Sequence, residues 1–148
     1  MATTESIRDA MTAAWKAGDT TRRDALRLMI ASMTNARIEL GRPLDEADVT
    51  RVLQKEAKQR RDSIAEYAKA KRQDLVDKEQ AELDVIVQFL PQQMSEEELR
   101  AIVRSVIEEA GAKSVNDLGK VMRPLMARLA GRADGAAANA IAREILQG

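Results

Sequence analysis

Apolar residues recur along the chain at spacings of three and four, and a few clear stops cut the pattern. Ile7, Met11, Ala14 and Trp15 fall on one face of a run over about 4–17, as in an amphipathic helix. Gly18, Gly41 and Gly111 each follow such a run, the place glycine takes just past a helix C-terminus. A second helix is predicted from an Asp19 cap to about Leu40, with Leu26, Met29, Ile30, Met33 and Leu40 inward. A third starts at Asp45, with Asp48 three residues on and Leu44 placed to staple against Val49. It is expected to reach about residue 72. A fourth covers about 73–90, with Leu75, Leu83, Ile86, Phe89 and Leu90 apolar.

Pro91-Gln92-Gln93-Met94 interrupts the pattern and reads as a linker. Beyond it Ser95 caps a fifth helix over 96–110, with Glu98 at the third position and Met94 set to staple against Leu99. A sixth is predicted over about 115–130, opened by the cap-like Ser114-x-x-Asp117. Pro124 inside it predicts a kink or a split. A seventh spans about 136–147. The expected fold class is therefore all-α. An N-terminal four-helix domain covers 1–90, a linker 91–94, and a smaller three-helix C-terminal domain 95–148.

Composition narrows the chemistry. The 148 residues include no cysteine and no histidine. That removes the Ser-His-Asp triad, a cysteine nucleophile, a Cys/His zinc site and disulfides. No catalytic constellation, cofactor site or metal site is predicted. The acids of 74–84 read as a solvated or arginine-paired face. Aromatics amount to Trp15, Tyr67 and Phe89, and with at least two of them in apolar stripes no base-stacking platform is expected. The start MATTESIRDAM has no apolar signal core, and no run reaches membrane-spanning length. A soluble cytoplasmic chain without a membrane partner is the expectation.

Charge is balanced, with 24 basic and 24 acidic side chains, but it is unevenly placed. Residues 51–72 are rich in lysine and arginine, and 73–90 are rich in aspartate and glutamate. One reading pairs these two helices with each other; another presents Arg51, Lys55, Lys58 and Lys69 outward to nucleic acid. Glu56 and Arg60 project into the apolar stripe of the third helix at i,i+4 spacing. A buried charge needs a partner, so they are read as a structural core ion pair. On the sixth helix Leu118, Val121, Met122, Leu125, Met126 and Leu129 form the apolar face, and Lys120, Arg123 and Arg128 lie off it. Arg132 follows in Gly131-Arg132-Ala133-Asp134-Gly135. That loop reads either as a phosphate seat at a helix start or as a turn capped by Asp134.

The runs Lys58-Gln59-Arg60-Arg61-Asp62-Ser63-Ile64, Phe89-Leu90-Pro91-Gln92-Gln93, Gly119-Lys120-Val121-Met122 and the Gly131–Gly135 loop with Asn139 occur in that order over nearly the whole chain. Together they resemble the YqeY family, small bacterial proteins similar to the C-terminal tail of the B subunit of the Asp/Glu-tRNA amidotransferase. The resemblance implies a larger N-terminal and a smaller C-terminal helical domain. It implies tRNA contact through Lys120, Arg132 and Asn139. Arg123 and Pro124 depart from a glycine-containing stretch of the family, which bears on the path of the sixth helix. The label carbon–nitrogen ligase with glutamine as amido-N donor attaches to the full-length subunit, whose catalytic domains this chain lacks. Two functions follow as expectations. One is a tRNA-binding or tRNA-amidation accessory module using Lys120, Arg123, Arg128, Arg132 and Asn139. The other is a protein-interaction adaptor with no RNA role. The oligomeric state is not legible.

Overall fold

A computed structural model describes residues 2–148. The described residues form helices and no strands: α1 (Thr4–Ala17), α2 (Thr20–Leu40), α3 (Glu46–Lys69), α4 (Gln73–Gln88), α5 (Glu96–Ala110), α6 (Leu118–Leu129) and α7 (Gly135–Gln147), with one 3-10 turn at Val115–Asp117. The chain divides into two compact units, Met1–Pro91 and Gln92–Gly148.

Local chemistry sets the helix boundaries. Thr3 and Ser6 form a reciprocal capping box at α1, and Asp45 and Asp48 do the same at α3. Asp19 and Ser95 cap α2 and α5 through their side chains. Glycines in the left-handed conformation close α1, α2 and α5. Two other turns put a side chain in that region: Lys71 at φ 57° after α3 and Ala130 at φ 46° after α6. L-residues populate it at some energetic cost.

Several boundaries and faces differ from the sequence reading. α3 stops at Lys69, three residues short, because the left-handed turn at Lys71 reverses the chain. α4 stops at Gln88, ahead of Pro91, since the approach to a proline disfavours helix. The sixth helix begins only at Leu118. Ser114 makes no side-chain cap, and the Asp117 carboxylate instead accepts from the Lys113 N–H at 2.9 Å. α6 then runs through Pro124 without a split. The missing proline N–H leaves the Lys120 carbonyl without its helical donor, on a face where both residues are exposed.

The core of the N-terminal unit joins Ile7 and Ala14 of α1, Leu26, Met29 and Met33 of α2, Val49 and Leu53 of α3, and Leu83 and Ile86 of α4. Trp15 and Leu40, expected inward, are 67 % and 49 % exposed. Trp15 lies at the border of the α1 stripe, and Leu40 ends α2 beyond the layer that covers Met33.

Three acids are buried here: Asp48, Glu56 and Glu82. Asp48 accepts from both guanidinium nitrogens of Arg42 at 2.6 and 3.2 Å, from the Asp45 N–H at 3.0 Å, and from Arg51. The Arg42 guanidinium, followed by the Asp45 N–H, holds this carboxyl far below the usual carboxylate range. Arg60 of α3 reaches Glu56 at 3.2 Å and Glu79 and Glu82 of α4 at 3.1 Å each. Ser32 of α2 donates to Glu56 at 2.5 Å. One arginine and a serine thus tie three helices around three carboxylates. Burial pushes Glu82 upward, opposed by Arg60 and reinforced by Glu79. On the outer face of α3, Arg51, Lys58 and Lys69 pair with Asp48, Asp62 and Glu66 of the same helix.

The C-terminal unit packs Leu99, Val103 and Val106 of α5, Val121, Leu125 and Leu129 of α6, and Ala138, Ile141 and Ala142 of α7. Met126, expected on the apolar face of α6, is 38 % exposed at its margin. Residues 92–94 are fixed rather than free in this unit. The Met94 N–H donates to the Arg132 carbonyl at 2.8 Å, and the Gln93 amide to the Gly131 carbonyl at 3.1 Å. No helix among the described residues is long and apolar enough to cross a membrane.

Candidate nucleic-acid interface

α6 is amphipathic in a way that fixes what it shows outward. Val121, Leu125 and Leu129 are buried, so at 100° per residue the opposite face carries Lys120, Arg123 and Ala127, with Pro124 beside it and Arg128 at the margin of the buried stripe. All five are exposed. The three cations of this helix are in different electrostatic situations.

Lys120 is 74 % exposed, with its ammonium 3.8 Å from the Asp117 carboxylate. That carboxylate is already engaged by the Lys113 N–H, the main cause of its lowered pKa. Arg123 has no hydrogen bond or ion pair from its guanidinium. Arg128 is committed: it donates to Glu109 at 2.5 Å and to Ser105 at 3.3 Å, both on α5, and it lowers the Glu109 pKa.

The remaining two candidates lie off α6. Arg132 donates from Nε to the Gln92 carbonyl at 3.0 Å, and its guanidinium stands 4.0 Å from Glu98. It is only partly exposed and fastens the 92–94 segment to the loop. Asn139 accepts from Arg143 Nε at 2.9 Å. The loop between α6 and α7 is a capped turn. The Asp134 carboxylate accepts from the Ala136 N–H at 3.2 Å, and the Arg132 N–H bonds the Leu129 carbonyl at 2.9 Å. A carboxylate therefore already occupies the positive helix end that a phosphate would use. Among the described residues no cluster of acids could hold a metal ion.

Of the five sequence candidates, then, Lys120 and Arg123 stand together on one outward face with free capacity, whereas Arg128, Arg132 and Asn139 are held by intramolecular bonds. The C-terminal unit contains no aromatic residue. This face can offer charge and hydrogen-bond donors but no stacking surface.

Comparison with known proteins bears on this arrangement. A family model described as Yqey-like protein matches residues 4–146. The chain belongs to the YqeY-like family. Curated relatives include Altered inheritance of mitochondria protein 41, mitochondrial, from Saccharomyces cerevisiae, 34 % identical over 106 residues, covering 67 % of this chain and 57 % of the yeast protein. The protein of the same name from Pyrenophora tritici-repentis is 40 % identical over 86 residues, covering 55 % of this chain and 46 % of that one. The YqeY-like chain thus spans about half the length of the curated relatives it matches. These relatives are mitochondrial by name, whereas the sequence reading pointed to a bacterial, cytoplasmic protein.

Proposed function

We propose that this YqeY-like chain is an accessory module that grips tRNA by its backbone through the outward face of α6, for chemistry carried out by other proteins. The observation that carries the proposal is the pair Lys120 and Arg123: adjacent on one helical face, exposed, and not committed to strong intramolecular partners. The order of motifs shared with the amidotransferase tail supports tRNA as the ligand.

Phosphate contacts position a protein on RNA without reading its sequence. With no aromatic side chain in the C-terminal unit, recognition follows shape and charge. The unit's basic and acidic side chains are equal in number, so affinity is modest and falls steeply with salt. Arg128 and Arg132 join only by sharing their donors with phosphate, because Glu109 and the Gln92 carbonyl already hold them. Titration of the full chain with unmodified tRNA at low and at physiological salt tests the reading. Binding at low salt that weakens on salt addition is the expected result. Absence of binding at low salt removes it.

A further inference from the structure

The exposed large apolar side chains are concentrated in the N-terminal unit: Trp15, Leu28, Ile38 and Leu40, against Met126 alone in the C-terminal unit. Trp15 with Met11 of α1 and Arg23 with Arg27 of α2 line a groove of about 250 Å³. At 100° per residue, Arg23, Arg27, Ala31, Thr34 and Ile38 fall on one stripe of α2. The groove is therefore one end of a track about 22 Å long that ends at Ile38, which is 68 % exposed. Trp15 and Ile38 mark the track's two ends, the cations sit at the Trp15 end, and Ala31 and Thr34 fill the stretch between Arg27 and Ile38. Arg23 is paired with Asp24 at 3.1 Å, but the Arg27 guanidinium has no hydrogen bond or ion pair. Arg8, also exposed, shares the α1 stripe with Met11 and Trp15.

We infer that this track docks an acidic amphipathic helix of a protein partner, with one large apolar anchor beside Trp15, a second on Ile38 and carboxylates against Arg27. The spacing is that of side chains on a helix of about four turns. Charge complementarity selects acids for the stretch that follows the Trp15 anchor, against Arg27. The exposed Ile38 favours a protein over RNA, since an aliphatic side chain gives a phosphate backbone nothing to bind. The inference concerns α1 and α2 and stands independently of the α6 reading.

Trp15 is the single tryptophan of the chain, so its fluorescence reports on the groove directly. The probe is a synthetic peptide of about eighteen residues, with Phe and Leu about fourteen residues apart on one helical face and glutamates between them. Titrated into the full chain, it should shift Trp15 emission to the blue, saturably. Arg27→Glu should weaken binding about tenfold or more, with helicity by circular dichroism unchanged because Arg27 is exposed. A peptide with lysines for glutamates should fail on the wild type and bind Arg27→Glu better. Equal shifts from the glutamate and lysine peptides would overturn the inference, as would no shift from the glutamate peptide. A blue shift caused by tRNA would hand the groove to nucleic acid, and one caused by raising protein concentration alone would hand it to a second copy.

Discussion

In the N-terminal unit three carboxylates lie inside the protein, each met by an arginine, whereas the C-terminal unit buries no charged side chain among its described residues. The first unit spends its arginines on structure: Arg60 ties α3 to α4, and Arg42 and Arg51 hold Asp48. The second keeps a purely apolar interior and leaves Lys120 and Arg123 at the surface with little to do internally. The comparison teaches that basic residues in the same chain can be read by what they touch. A cation that closes a buried charge balance is part of the fold, and one without a partner is available to a ligand.

The largest expected effect breaks the Arg60 cluster. Arg60→Ala leaves Glu56, Glu79 and Glu82 facing one another with little solvent, and should lower stability by about 3–5 kcal/mol. Arg60→Leu should lose somewhat less, because it restores apolar contact beside Ile64, but it strands the same acids. Arg128→Ala in the C-terminal unit should barely move the denaturation midpoint, since its partner Glu109 is exposed. Urea midpoints for the three variants read this directly.

Next come two pH effects of opposite sign in the N-terminal unit. The Asp48 carboxyl has a folded pKa below its unfolded value, so its contribution is present above about pH 4 and is lost as the pH falls. Asp48→Asn should be less stable than wild type at neutral pH, with the gap closing in acid. Glu82 is raised by burial, so its contribution turns unfavourable as the pH rises through its folded pKa. Glu82→Gln should therefore gain on wild type from about pH 4.5 upward. Thermal midpoints across pH 3–8 check both slopes.

The smallest effect repairs the turn after α6. Ala130→Gly removes a left-handed alanine and should stabilise by up to about 1 kcal/mol. Lys71→Gly is the matching test in the N-terminal unit, and the two midpoints should rise together.

Much of this was legible in the sequence where its cause is local. The caps at Asp19, Asp45 and Ser95 act within three residues, and the helix starts followed from them. The outward placement of Lys120, Arg123 and Arg128 followed from the period of α6 alone. What escaped depends on contacts between elements. Asp48 was legible as a capping residue, but not as a buried acid, because that takes Arg42 folding back from the preceding loop. Trp15 fits the α1 stripe by spacing. The groove it lines with Met11 is bounded on the α2 side by Arg23 and Arg27, and it is 67 % exposed. The end of α3 was misjudged because a lysine, not a glycine, makes its left-handed turn, and the start of α6 because Ser114 makes no side-chain cap.

The salt dependence of tRNA binding tests the central claim most directly. Each phosphate contact contributes about 0.7–0.9 to the slope of log K against log salt. Lys120→Gln with Arg123→Gln should weaken binding and flatten the slope by about one to two units, with folding unchanged because both side chains are exposed. The control, Lys55→Gln with Lys69→Gln, removes the same charge from the outer face of α3 and should leave the slope unchanged. Equal flattening by the two pairs, or a slope that neither pair alters, would contradict the assignment of the grip to α6.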